Sequence, residues 1–189
     1  AFVQLQENGS GSLTIHGSPT GVTGHVRRVL VDYDVPVEGP TAFYVVADDS
    51  EDGDIWRLNT PGFNTITTSP TGFTLTAPNG ARLVGTVHQP ASPVIETGTF
   101  DRSGSVNWNE LSSDFNKWVQ IANPGNSRFV VTLQLLGPGE AAATVSTGGT
   151  AANPVFSIGD RQYSVAVDRI HSSDWPDEHT VTVAVEPAG

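Results

Sequence analysis

Histidines, one run of acids and four tryptophans are the residues of this chain whose types could do chemistry. His16, His25, His88, His171 and His179 show neither an H-x-H nor an H-E-x-x-H spacing. A tetrahedral zinc centre therefore has no local signature, and surface or strand-end positions are the plain reading. The run from Asp48 to Asp54 copies the first half of a calcium loop, with oxygen-bearing side chains at alternate positions followed by a glycine at the sharp turn. Asp48, Ser50, Asp52 and Asp54 are its candidate ligands. Its twelfth position is Asn59, which cannot supply the bidentate carboxylate of an EF-hand, and its flanks read as strands, so a solvated acidic connection is the competing reading. No other cofactor is expected. No G-x-S-x-G elbow is present, and the Ser and His residues have no triad spacing. Scattered carboxylates do not define the opposed pair that glycoside hydrolysis needs.

Flat aromatic rings stack on pyranose faces, which makes the tryptophans candidates for sugar contact. Trp56 and Trp118 alternate with Leu58 and Gln120 in strand-like text, where core burial weighs at least as much as exposure; Trp108 and Trp175 fall in polar stretches, where a large apolar ring needs a partner.

The elements that must position these groups are strands. Val181, Val183 and Val185 alternate with Thr180 and Thr182, which predicts a half-buried strand. Gly159-Asp160 between Phe156/Ile158 and Tyr163/Val165/Val167 predicts a two-residue hairpin, and Asn79-Gly80 between Phe73/Leu75 and Leu83/Val87 a second. Further strands are expected over 12–15, 26–33, 43–48, 55–58, 94–98, 118–122, 129–136 and 142–146. About a dozen strands on one chain split into stacked sheets rather than one open sheet. The expected fold is all-β, a two-layer antiparallel β-sandwich of the supersandwich kind, in one domain over residues 1–189, with a long crossing loop at 101–116.

Composition narrows the partners. Twenty acidic against nine basic residues give a net charge of −11, which opposes docking on nucleic acid or an anionic membrane. Zero cysteines exclude disulfides, thiolate metal sites and Cys nucleophiles. The absence of methionine predicts that the chain comes from a longer parent; no signal peptide and no run of about 18 apolar residues is present.

Gly24-His25-Val26-Arg27-Arg28-Val29-Leu30-Val31, followed by Phe43-Tyr44-Val45-Val46-Ala47-Asp48-Asp49, resembles a stretch of the β domain of the heparinase II/III-like polysaccharide lyases. The strand texts at 54–58, 117–122 and 128–133 are similar in style, so the resemblance covers Leu13 to Val167. In that family an α/α toroid precedes a large β domain, and uronic-acid-containing chains are cleaved by β-elimination. That chemistry requires a base, commonly Tyr or His, and groups that neutralise the carboxylate. Most of them belong to the toroid; the β domain's own H-x-H-x-D-like element has no counterpart here, since His16 is followed by Gly17-Ser18-Pro19. His25 and Arg27 would share one strand face toward a glycan, with Val26 and Arg28 on the other, and salt bridging to the abundant acids is the alternative role.

The resemblance implies an accessory, supporting β-sandwich of a secreted or periplasmic lyase, inactive alone and packed in its parent on a helical catalytic domain. Its substrate-facing candidates are His25, Arg27, Trp108 and Trp175, and its partner is a polysaccharide. The alternative is a stand-alone carbohydrate-binding or adhesion sandwich.

Overall fold

The computed structural model describes residues 2–7, 12–18, 26–49, 55–99, 117–124, 128–165 and 183–187. They form strands and turns, with no helix among them. In chain order the strands are β1 (Phe2–Glu7), β2 (Ser12–Ser18), β3 (Val26–Asp32), β4 (Pro40–Asp49), β5 (Ile55–Thr60), β6 (Thr65–Ser69), β7 (Gly72–Thr76) and β8 (Arg82–Gln89). They continue as β9 (Val94–Thr99), β10 (Lys117–Ala122), β11 (Phe129–Leu136), β12 (Ser146–Gly149), β13 (Pro154–Ile158), β14 (Arg161–Val165) and β15 (Val183–Pro187). One long sheet has the order β1-β2-β3-β4-β11-β8-β7-β6, a second is β5-β10-β9, and a third is β12-β13-β14-β15. Every pairing is antiparallel.

The centre of the long sheet is buried on both sides. Phe43, Val45, Ala47 and Val130 join Leu30 in a cluster with Phe156, Ile158 and Tyr163 of the third sheet. The residues between them, Val46, Phe129, Val131 and Leu133, pack instead with Trp56, Val119 and Ile121 of the second sheet. Successive residues of a strand point to opposite faces, so β4 and β11 are covered twice. Their text is accordingly a nearly continuous apolar run rather than an alternation. The all-β sandwich expected from sequence is present, in a form where each face of the long sheet has its own partner.

The turns follow their residues. Ile158 pairs with Arg161 across Gly159-Asp160, and Gly159 has φ +59°, the positive value that a tight hairpin asks of its first central residue. The connection after Thr76 spans Ala77 to Ala81: Gly80 N–H donates to Ala77 O at 2.9 Å, Pro78 and Asn79 take the centre of the turn, and Gly80 sits at φ +88°. Ala81 N–H donates to Asn79 Oδ1 at 3.0 Å.

One expected strand is corrected. The stretch 142–145 carries no strand, and β12 begins at Ser146. In place of a ladder partner, Ala143 is held by one side chain: its N–H donates to Gln134 Oε1 at 2.8 Å, and Gln134 Nε2 donates to its carbonyl at 3.0 Å. Beyond the expectation lie β1 and β6. The segment 101–116 lies outside the described residues, while its neighbours Thr99 and Lys117 stand opposite one another in the second sheet.

Candidate functional site

A cleft of about 560 Å³ opens where β8 ends, β11 begins and the β12–β13 connection passes over them. Its polar lining consists of His88, Gln89, Arg128, Thr147 and Thr150, around an apolar floor that includes Pro154 and Phe156. Among the described residues no carboxylate lines it, although the whole chain carries −11. Arg128 carries the one permanent charge among the described residues of its wall.

Register explains how β8 supplies two adjacent side chains to one cleft. Val131 of β11 is opposite Val87, but Val130 is opposite Gln89, so His88 is the extra residue of a β-bulge. A bulge breaks the alternation and re-aims a side chain, and both His88 and Gln89 are thereby delivered to the wall. His88 is fixed from two sides: its Nε2 lies 2.8 Å from Thr132 Oγ1, and its ring centroid is 4.5 Å from that of Phe156. Burial lowers its pKa from 6.5 to about 4, so the imidazole is neutral at pH 7. Gln89 Nε2 donates to Ala151 O, which ties the connection after β12 to the bulge. The Gln89–Pro90 peptide is cis.

The third sheet is held over this region by a buried polar knot at its other end. Asp32, fully buried, accepts from Tyr163 Oη at 2.7 Å, from Arg161 Nη1 at 2.7 Å and from Asp34 N–H at 2.9 Å. Arg161 also donates to the Asp34 carbonyl and, at 3.1 Å, to its carboxylate. Burial, reinforced by the Asp32 carboxylate, pushes the Tyr163 phenol well above its usual range.

The residues singled out from sequence distribute unevenly. Arg27 lies on β3 opposite Asp48 of β4, near the cleft end of the long sheet, while His25, just before β3, lies outside the described residues. Asp48 is 3% exposed and opposite Phe129, so it faces the second sheet's core instead of solvent. Ser50, Asp52 and Asp54 lie outside the described residues, as do Trp108 and Trp175. The connection carrying Trp175 leaves from Val165, whose partner is Val183, at the cleft end of the third sheet; the one carrying Trp108 is anchored at Thr99 and Lys117, the opposite end of β10 from Ala122 and the approach to β11. Trp56 is core, and Trp118 is half-buried under the Arg57 guanidinium, 4.9 Å from its ring centroid. Among the described residues no three His, Asp or Glu side chains come together as a metal site.

The sequence marks His88 as a surface or strand-end histidine and gives Gln89 no role, because a bulge exists only relative to a partner strand. The one local hint is the end of alternation at His88-Gln89-Pro90.

No protein-family model matches the chain, and no curated protein matches it. Among solved structures it is similar to heparan sulfate lyase HepC from Pedobacter heparinus, at 17% identity and a TM-score of 0.52, over 89% of this chain and 28% of that one. A mutant of the same enzyme matches at 16% identity and 0.52, over 87% and 28%. The fold is that of a part of this lyase. The resemblance expected from the strand texts is thus met in fold, and the chain spans little more than a quarter of the lyase's length.

Proposed function

We propose that this chain is the β-sandwich part of a secreted or periplasmic polysaccharide lyase, contributing a wall of the substrate cleft for a uronic-acid-containing glycan and no complete catalytic centre. The observation that carries this is the cleft at Arg128 and the His88 bulge, with no carboxylate among its described lining residues, set in a fold shared with a part of heparan sulfate lyase. Arg128 is placed to pair with a glycan carboxylate or sulfate. His88, neutral and held at Nε2 by Thr132, offers a fixed hydrogen-bonding ring rather than a strong base. β-Elimination asks for a base, a proton donor and a carboxylate neutraliser together. The cleft supports only the last, so the others would come from a helical catalytic domain of the parent.

Calorimetric titration of a short uronate-containing oligosaccharide into the chain tests this. Binding is expected that weakens with salt and falls about tenfold or more in Arg128→Gln, with the circular dichroism of the sheets unchanged. An absence of binding overturns the reading, and so does formation of an unsaturated uronide by this chain alone.

A further inference from the structure

The cleft opens beside a sheet face whose described contact with another segment is at its far end, where the Arg82 guanidinium donates to Glu140 O. On the side of the long sheet that carries His88, the residues of β8 are Arg82, Val84 and Thr86; their partners on β7 are Thr76, Thr74 and Gly72, and beyond these on β6 stand Thr65, Thr67 and Ser69. Both apolar clusters omit every one of these residues. Thr65, Thr67 and Ser69 are exposed, and Thr74, Thr76 and Thr86 are half-buried. The opposite side of the same strands is ordinary core, with Phe73, Leu75 and Val87 buried. The edge strand β12 of the third sheet is exposed along its whole length.

Two properties set this face apart from a bare stretch of edge. The first is charge: β6, β7 and β8 contain no Asp or Glu at all, and their only ionisable groups are Arg82 and His88, on a chain of net charge −11. The second is continuity. Thr86 and His88 are successive residues on one side of β8, so the hydroxyl rows run directly into the cleft that Arg128 marks. Hydroxyls on a flat sheet repeat about 4.8 Å apart across strands and about 6.8 Å apart along them. That lattice suits an extended ligand which is itself flat and rich in hydroxyls.

We propose that the β6–β8 face is a second binding surface, on which an anionic polysaccharide running out of the cleft lies, so that long chains are held more tightly than short ones. This rests on the cleft reading above and adds a direction to it: the glycan leaves past Thr86 toward Thr74 and Thr67. The occupant is an anionic glycan because β6, β7 and β8, free of Asp and Glu on a chain of net charge −11, run into the cleft that Arg128 lines.

The test is a pair of titrations, with a short oligosaccharide that fills the cleft alone and with a long chain of the same uronate-containing glycan. Thr67 is exposed at the edge, so Thr67→Glu and Thr67→Lys leave the fold intact. Thr67→Glu should weaken the long chain by roughly tenfold and Thr67→Lys should tighten it by several-fold at low salt, while the short one is unchanged in both. Equal affinity of long and short chains in the native protein overturns the proposal, as does a long-chain affinity indifferent to both substitutions, or a neutral polysaccharide binding as tightly. In each of those cases a short oligosaccharide still lost in Arg128→Gln leaves the cleft reading standing; loss of all binding removes both.

Discussion

The two faces of the long sheet are held by different forces. Toward β5, β9 and β10 an apolar cluster sets Val46, Phe129, Val131 and Leu133 against Trp56, Val119 and Ile121, with Asp48 buried beside it and Lys117 Nζ donating to Asn64 O at 2.8 Å. Toward the third sheet the apolar cluster is flanked by directional bonds: Asp32 takes Tyr163 and Arg161, Gln134 takes both backbone groups of Ala143, and His88 meets Thr132 and Phe156. Apolar burial is strong but indifferent to small sliding, whereas a hydrogen bond fixes position to a fraction of an ångström. The cleft forms on the side where position is fixed.

That contrast can be broken from either side. The largest effect is expected for Asp32→Ala, which strands the Tyr163 hydroxyl and the Arg161 guanidinium and should cost about 4 kcal/mol in urea unfolding. The same variant should lose oligosaccharide affinity at temperatures where it is still folded, because the sheet bearing Thr147 and Phe156 is no longer pinned. Ile121→Ala, in the fully buried apolar cluster of the other face, should cost nearly as much, about 3 kcal/mol, and leave oligosaccharide affinity as it was. If both variants weaken binding alike, the third sheet's polar knot has no special part in the cleft and the contrast fails.

Much of this fold is legible in the residues, and the illegible parts have a common cause. The hairpins at Gly159-Asp160 and Asn79-Gly80 are local, carried by residues that accept the turn's backbone, and both form. The strand 129–136 appears with the bounds its composition predicts. The continuous apolar runs at 43–47 and 129–133 already signal burial on two sides, which is how a sandwich sharing its central sheet can be read from text alone. What cannot be read is partnership. Gln134 looks like a solvent-facing residue until Ala143 lies beside it, β6 looks like a polar loop until Ile66 finds Leu75, and the bulge at His88 appears only when Val130 and Val131 are counted against Gln89 and Val87. The cleft is made of such partnerships, so no motif in the text joined His88, Arg128 and Phe156 into one site.

The smallest effect sharpens the comparison most, because it isolates a single polar contact at the cleft. His88 has a pKa of about 4 in the folded chain against 6.5 for a free imidazole, since burial disfavours its charged form. Between those values the unfolded chain holds the proton more tightly than the folded one, so stability is full above pH 6.5, falls as the pH drops toward 4 and levels off below it. The ring is half-buried beside an open cleft, which reduces the expected loss to about 1–2 kcal/mol. Carboxylates titrate in the lower part of the same window, so the quantity to measure is the difference in urea unfolding between the native chain and His88→Gln, at pH 7 and at pH 4.5. The native chain should lose the additional 1–2 kcal/mol and the variant should not. Parallel losses in the two would mean that the His88 ring takes up its proton freely, and that neither Thr132 nor Phe156 encloses it as the bulge geometry requires.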